Sequence, residues 1–201
     1  MPLKIVHSGH VEVVGLGRVL LTSPVTPSSK ADLHMGQIAE EAALTSRSFA
    51  VIGKLKGEFS EPERARLAEQ DLRKSIEGFL DENEIKFVLE LEGKMEPGIE
   101  VSVTGTGCSD STFQLVKSRL AKEFSINTDD SRETVQPDGL GGNYSREDAN
   151  SDFLVEEVRL LFGNEERQFQ KEKIIKTISE IAELLDARTR TSQDTNATAA
   201  A

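Results

Sequence analysis

Tryptophan is absent from this 201-residue sequence, and tyrosine and cysteine occur once each, as Tyr144 and Cys108. Aromatic residues make up only 5% of the chain, which argues against an aromatic stacking platform for single-stranded nucleic acid. A single cysteine excludes both an intramolecular disulfide and a zinc site built on several thiolates.

Basic residues are also scarce relative to acidic ones. The 24 Lys and Arg residues against 35 Asp and Glu residues give a net charge of −11, which disfavours general binding of polyanions. The longest apolar stretch, residues 11–21, is interrupted by Glu12 and Arg18 and is too short to span a bilayer. Because a signal-peptide pattern is also lacking, we expect a cytoplasmic protein with no membrane contact.

Alternating apolar and polar residues are clearest in two neighbouring segments. Phe87, Leu89 and Leu91 alternate with Glu90 and Glu92, and the alternation resumes after a Gly- and Pro-containing turn. This pattern predicts a β-hairpin at about residues 85–104 with one buried and one solvent-exposed face. With the helical spacing elsewhere, it predicts an α+β fold in which helices pack on one face of an antiparallel sheet.

Composition changes along the chain predict four regions. An α+β domain covers residues 1–124, and a flexible linker rich in acidic residues covers 125–152. Residues 153–188 are expected to form a strand or helix followed by a long amphipathic helix. The small polar residues of 189–201 predict a disordered tail.

The C-terminal amphipathic helix carries an apolar seam formed by Ile174, Ile178, Ile181 and Leu185. Such a helix is marginal alone and needs a surface to pack on. That surface belongs either to this chain's own sheet or to another chain. The second alternative predicts a non-enzymatic protein-interaction or regulatory assembly module, which binds a protein partner or forms a homo-oligomer through this seam.

Residues 37–56 resemble a helix-turn-helix of bacterial regulators, with Ile38, Ala39 and Ala42 at the packed positions of the first helix. The resemblance implies a DNA-binding transcriptional regulator and makes this segment the only expected nucleic-acid site. The same residues also fit one continuous amphipathic helix. The DNA contacts that the resemblance implies are Thr45, Arg47, Ser48, Lys54 and Lys56.

A small enzyme is the third possibility, although the Walker, nucleophile-elbow and zinc-protease motifs are absent from the sequence. Cys108 precedes a predicted helix, whose N-terminus would lower the pKa of the thiol. Pro2, if exposed by removal of Met1, is similar to the terminal proline of tautomerases that use it as a base. We predict no cofactor and no metal site, since alternation along a strand would place His7 and His10 on opposite faces.

Overall fold

The computed structural model describes residues 1–23, 34–53, 62–93, 99–103, 108–127, 146–147 and 153–199. Within these ranges the strands are β1 (Leu3–Val6), β2 (His10–Val14), β3 (Val19–Ser23), β4 (Phe49–Gly53), β5 (Phe87–Gly93), β6 (Ile99–Val103), β7 (Ile126–Asn127), β8 (Arg146–Glu147) and β9 (Phe153–Phe162). The helices are α1 (Met35–Ser46), α2 (Pro62–Glu82), α3 (Asp110–Ala121), α4 (Asn164–Phe169) and α5 (Lys171–Ala199).

The strands form one mixed sheet in the order β1-β2-β4-β3-β5-β9-β6-β7, and β8 pairs with β9. Strands β4, β3, β5 and β9 are parallel to one another, whereas β2 and β6 pair antiparallel at either side of this block. The prediction of an α+β fold is confirmed, but the prediction of a purely antiparallel sheet is wrong. Crossovers through helices, which the parallel pairs require, explain the difference.

Both strands of the predicted hairpin at residues 85–104 are present, but they do not pair with each other. β5 pairs in parallel with β9 from Phe87↔Glu156 to Gly93↔Phe162, and β6 pairs antiparallel with the other side of β9. Residues 153–162, at the start of the region predicted to begin with a strand or a helix, therefore form a strand inside the sheet. The predicted linker, 125–152, falls outside the described residues except for 125–127 and 146–147.

Helices cover both faces of the sheet, so the prediction of helices on one face is also wrong. On one face α1, α3 and α5 pack against side chains such as Leu21, Leu89 and Leu160. On the other face α2 packs against Leu20 and Val88. Among the described helices, none is both long and apolar enough to cross a membrane.

The apolar seam of the C-terminal helix lies in the core of its own chain. Ile174, Ile178, Ile181 and Leu185 on α5 are all 0% exposed, and they belong to the cluster that includes α1 and the sheet. The hydroxyl of Ser179 donates to the carbonyl oxygen of Ala42 on α1 at 3.3 Å. Intramolecular docking, the alternative left open above, therefore accounts for the seam. α5 extends to Ala199, into the segment predicted as a disordered tail.

The helix-turn-helix hypothesis is wrong, because the segment contains one helix followed by a strand. α1 continues without a turn to Ser46, Arg47 ends it in the left-handed conformation at φ 58°, and β4 begins at Phe49. Thr45 is exposed and its hydroxyl donates to the Glu41 carbonyl, whereas Ser48 is buried. Lys54 and Lys56 lie outside the described residues.

The packing of α5 predicts different effects for two apolar side chains on the same helix. Truncating the fully buried Ile178 to Ala should reduce the unfolding free energy by about 2–5 kcal/mol, because it leaves a cavity. Leu184→Ala, at a position that is 46% exposed, should change it by only about 0.5 kcal/mol. Urea denaturation measures both, and equal effects of the two substitutions would contradict this packing.

Candidate functional site

The carboxyl ends of β4, β3, β5 and β9 meet at one edge of the sheet, because these strands are parallel. Ligand sites in open sheets of this kind lie beyond the carboxyl ends of the strands. The strand register places Thr22, Glu90 and Arg159 side by side on three adjacent strands. Alternation along each strand puts them on the face that α2 covers farther along.

Three glutamates and one arginine form what we call the carboxylate cluster: Glu90 and Glu92 on β5, and Glu157 and Arg159 on β9. Arg159 Nη2 donates to Glu90 Oε1 at 3.2 Å, and Arg159 Nε lies 3.6 Å from Glu92 Oε1. Glu90 and Glu157 are 0% exposed, while the Glu92 side chain is 23% exposed. Glu92 is therefore the member of the Glu90–Glu92 pair that is open to solvent.

Burial controls the protonation of this cluster. Desolvation raises the pKa of Glu90 to about 7, and the hydrogen bond with Glu92 and the attraction of Arg159 only partly oppose it. Desolvation also raises the pKa of Glu92 to about 8, reinforced by its hydrogen bond with Glu90 and the negative charge there. The Glu90–Glu92 pair thus holds a proton near neutral pH, which suits general acid–base chemistry.

Two buried hydroxyl groups lie at the end of β3, beside the cluster. Thr22 and Ser23 are each 1% exposed, and Thr22 is the register partner of Glu90. Among the described residues neither hydroxyl oxygen has a hydrogen-bond partner. Buried polar atoms are normally satisfied, so the Thr22 hydroxyl is available to a bound water or ligand next to Glu90.

The alternating pattern predicts a solvent-exposed hairpin face for Glu90 and Glu92, whereas Glu90 is fully buried and Glu92 is only 23% exposed. A signal was available in β9, the strand that pairs with β5. It reads Phe-Leu-Val-Glu-Glu-Val-Arg-Leu-Leu-Phe, with seven apolar residues among ten, which is typical of a strand covered on both faces. Charged side chains in such a strand are largely removed from water, and buried charges must find partners.

A second polar cluster contradicts the prediction that His7 and His10 lie on opposite faces. His7 lies in the turn between β1 and β2, so strand alternation does not govern its direction. The two imidazole rings stack with centroids 4.3 Å apart, and both approach Glu12. Burial acts to raise the pKa of Glu12, but hydrogen bonds from Ser75, His7 and His10 outweigh it and lower the pKa.

Cys108 does not have the surroundings of an activated thiol. Burial and the neighbouring carboxylate of Glu156 raise the pKa of the Cys108 thiol to about 12, so the prediction of an activated thiolate is wrong. Glu156 itself accepts hydrogen bonds from the backbone N–H and hydroxyl of Ser109 at the start of α3, at 2.8 and 2.7 Å. Pro2 precedes β1, the strand at one edge of the sheet, and its role as a terminal base stays a prediction.

The fold as a whole is similar to that of two solved structures. The chain is similar to N-formylglutamate amidohydrolase from Ralstonia eutropha JMP134, with a TM-score of 0.58 and 10% sequence identity over 92% of this chain and 100% of that one. It is also similar to a bacteriophage poly-gamma-glutamate hydrolase, with a TM-score of 0.50 and 14% identity over 88% of this chain and 89% of that one. No protein-family model and no curated protein sequence matches the chain.

These findings overturn the prediction of a non-enzymatic interaction or regulatory module. The apolar seam that motivated it is internal to the core, and two hydrolases share the fold. At these identities the similarity establishes the fold alone.

Protonated Glu92 should make the stability of the fold depend on pH. Its pKa is about 8 in the folded chain against an ordinary value of 4.5, so between these values the native state binds the extra proton. The resulting stability is complete below about pH 4.5 and is lost as the pH rises through about 8. We therefore expect the unfolding free energy to fall with rising pH across this window.

Glu92→Gln, which keeps a neutral side chain, should show a smaller fall than the wild type in urea denaturation at a series of pH values. The matched control is Glu77→Gln at an exposed position of α2, which should follow the wild type. A Glu92→Gln variant with the full wild-type pH dependence would show that the pKa of the Glu92 carboxyl is not raised in the folded state.

Proposed function

We propose that this protein is a hydrolase that cleaves an amide bond, with the carboxylate cluster as its catalytic centre. The observation that carries the proposal is the position of Glu90 and Glu92 near the carboxyl ends of the parallel strands, where Arg159 lies within 3.6 Å of both carboxyl groups and desolvation raises their pKa values to about 7 and about 8. The fold shared with two hydrolases supports the same class of reaction.

The chemistry needs one ionised and one protonated carboxyl group, as two coupled acids of this kind supply. The ionised member accepts a proton from a water molecule, whose oxygen bonds to the amide carbonyl carbon. The protonated member gives its proton to the amide nitrogen, and the carbon–nitrogen bond breaks. The products are a carboxylic acid and an amine. Transfer of a proton from the carboxyl group that received it to the one that gave it up restores the pair for the next cycle.

Other members of the site have supporting roles. Arg159, 3.2 Å from Glu90, holds that carboxyl in place and stabilises its ionised form. The buried Thr22 hydroxyl next to Glu90 is free to donate a hydrogen bond to the carbonyl oxygen as negative charge develops. Because Glu92 is the partly exposed member of the pair, we place the substrate on its side.

For the substrate we propose an amide of glutamate. N-formylglutamate and poly-γ-glutamate, which occur in the names of the two similar structures, both contain such a bond. We expect the full-length protein to hydrolyse N-formyl-L-glutamate or a γ-glutamyl dipeptide, detected by release of formate or free glutamate. Glu90→Gln and Glu92→Gln should each reduce kcat by about 10²–10⁴-fold.

Cys108→Ser serves as a control, because a thiol with its pKa near 12 takes no part in this mechanism. It should keep the wild-type kcat. Full activity in Glu92→Gln would rule out the acid–base assignment. A wild-type protein that cleaves neither substrate would rule out the proposed glutamate amides.

A further inference from the structure

His7, His10 and Glu12 bring three metal-ligating atoms together at the β1–β2 turn. Glu12 Oε2 lies 3.0 Å from His7 Nε2, and Glu12 Oε1 lies 3.2 Å from His10 Nε2. All three side chains have a ligand atom within 4.8 Å of those of the other two. In the part of the chain that the structure describes, no other set of three such residues meets this condition.

The surrounding structure holds this turn against α2. His10 is 4% exposed, and its Nε2 lies 2.8 Å from the Ser75 hydroxyl on α2. A side chain at Gly9 would approach the Ala68 Cβ to 3.0 Å, so glycine allows the turn to pack closely on the helix. His10 and Glu12 are therefore positioned by β2 and its contact with α2, and His7 lies in a turn that packs closely on the same helix.

The spacing of the three side chains is small enough for a tetrahedral ion. With metal–ligand bonds of about 2.0–2.1 Å, neighbouring ligand atoms of a tetrahedron are about 3.3 Å apart, and one ligand atom from each of His7, His10 and Glu12 lies within 4.8 Å of the other two. Two imidazole nitrogens and one carboxylate oxygen suit Zn²⁺ and similar transition ions, whereas Mg²⁺ and Ca²⁺ prefer oxygen ligands alone. A set of three protein ligands leaves one position open.

The two histidines of this cluster line a surface cavity of about 330 Å³. The cavity is lined by His7, Ser8, His10, Asp71, Lys74 and Ser75. It is wide enough for water or a small ligand to reach an ion held by the two histidines. Asp71 adds negative charge at its edge, and Lys74 adds a positive group that could contact an anion.

We propose that His7, His10 and Glu12 bind one divalent transition-metal ion of the Zn²⁺ type, with its fourth coordination position open to this cavity. The site is separate from the carboxylate cluster. Glu12 lies in the same cross-strand row as Glu90, with Val51 and Thr22 between them, and three strand spacings correspond to about 14 Å. The inference therefore does not depend on the proposed hydrolase activity.

The test uses the tag-free full-length protein. Isothermal titration with ZnCl₂ should give one ion per chain, and titration with CoCl₂ should give the visible absorption of a four-coordinate Co²⁺ ion. Zn²⁺ should also raise the Tm, because it binds the folded state. His7→Asn removes a ligand from a half-exposed position and should weaken Zn²⁺ binding by more than about tenfold, the loss that even an indirect partner of a metal ligand causes.

The chain supplies its own matched control in His34, which lies outside the cluster at the start of α1. His34→Asn should bind Zn²⁺ as the wild type does, and asparagine tolerates the left-handed backbone there, at φ 75°. Circular dichroism confirms that each variant is folded. Wild-type protein that binds no Zn²⁺, or equal binding by His7→Asn and His34→Asn, would overturn the proposal and leave the histidines as hydrogen-bond donors to Glu12.

Discussion

The position of β9 between β5 and β6 places Arg159 beside Glu90, and the rest of the candidate site depends on that pairing. The parallel register with β5 also brings Glu157 onto the same buried face. Removing a carboxylate from water is costly. Desolvation therefore raises the pKa values of Glu90 and Glu92 towards neutrality, and the attraction of Arg159 only partly opposes it. The same constraint supplies a proton donor and a proton acceptor at neutral pH.

The helices make this arrangement rigid by covering both faces of the sheet. α5 buries its full apolar seam against α1 and the strands, and the Arg18 backbone N–H donates to Asp186 on α5 at 2.9 Å, next to the start of β3. α2 covers the opposite face, and its Ser75 hydroxyl lies 2.8 Å from His10 Nε2. Functional groups on paired strands are held more precisely than groups on loops. Both polar clusters therefore share a single scaffold, and a cross-strand row links Glu12 to Glu90.

Much of the local structure could be predicted from the sequence, whereas the pairing could not. Alternation correctly located the strands at Phe87 and Ile99, but a hairpin is the simplest connection between neighbouring strands, and the strand that separates them comes from residues 153–162. The apolar seam of α5 was correctly identified, since helical periodicity is a local property. What covers that seam is a matter of tertiary structure, as is the burial of Glu90. His7 and His10 were predicted on opposite faces because strand alternation was applied to both. His7 lies in the turn after β1, where that alternation does not hold.

Direct observation of the carboxyl protons tests the central claim, that the sheet buries a pair of glutamates sharing a proton at neutral pH. Carbon-13 NMR of the glutamate side-chain carboxyl groups, followed across a pH titration, resolves this, and signals that Glu90→Gln and Glu92→Gln remove or shift identify the two residues. The structure predicts two carboxyl groups that titrate near 7 and 8, well above the ordinary glutamate range of about 4.3. If every glutamate titrates in that ordinary range, Glu90 and Glu92 do not hold a proton at neutral pH, and the proposed catalytic centre is wrong.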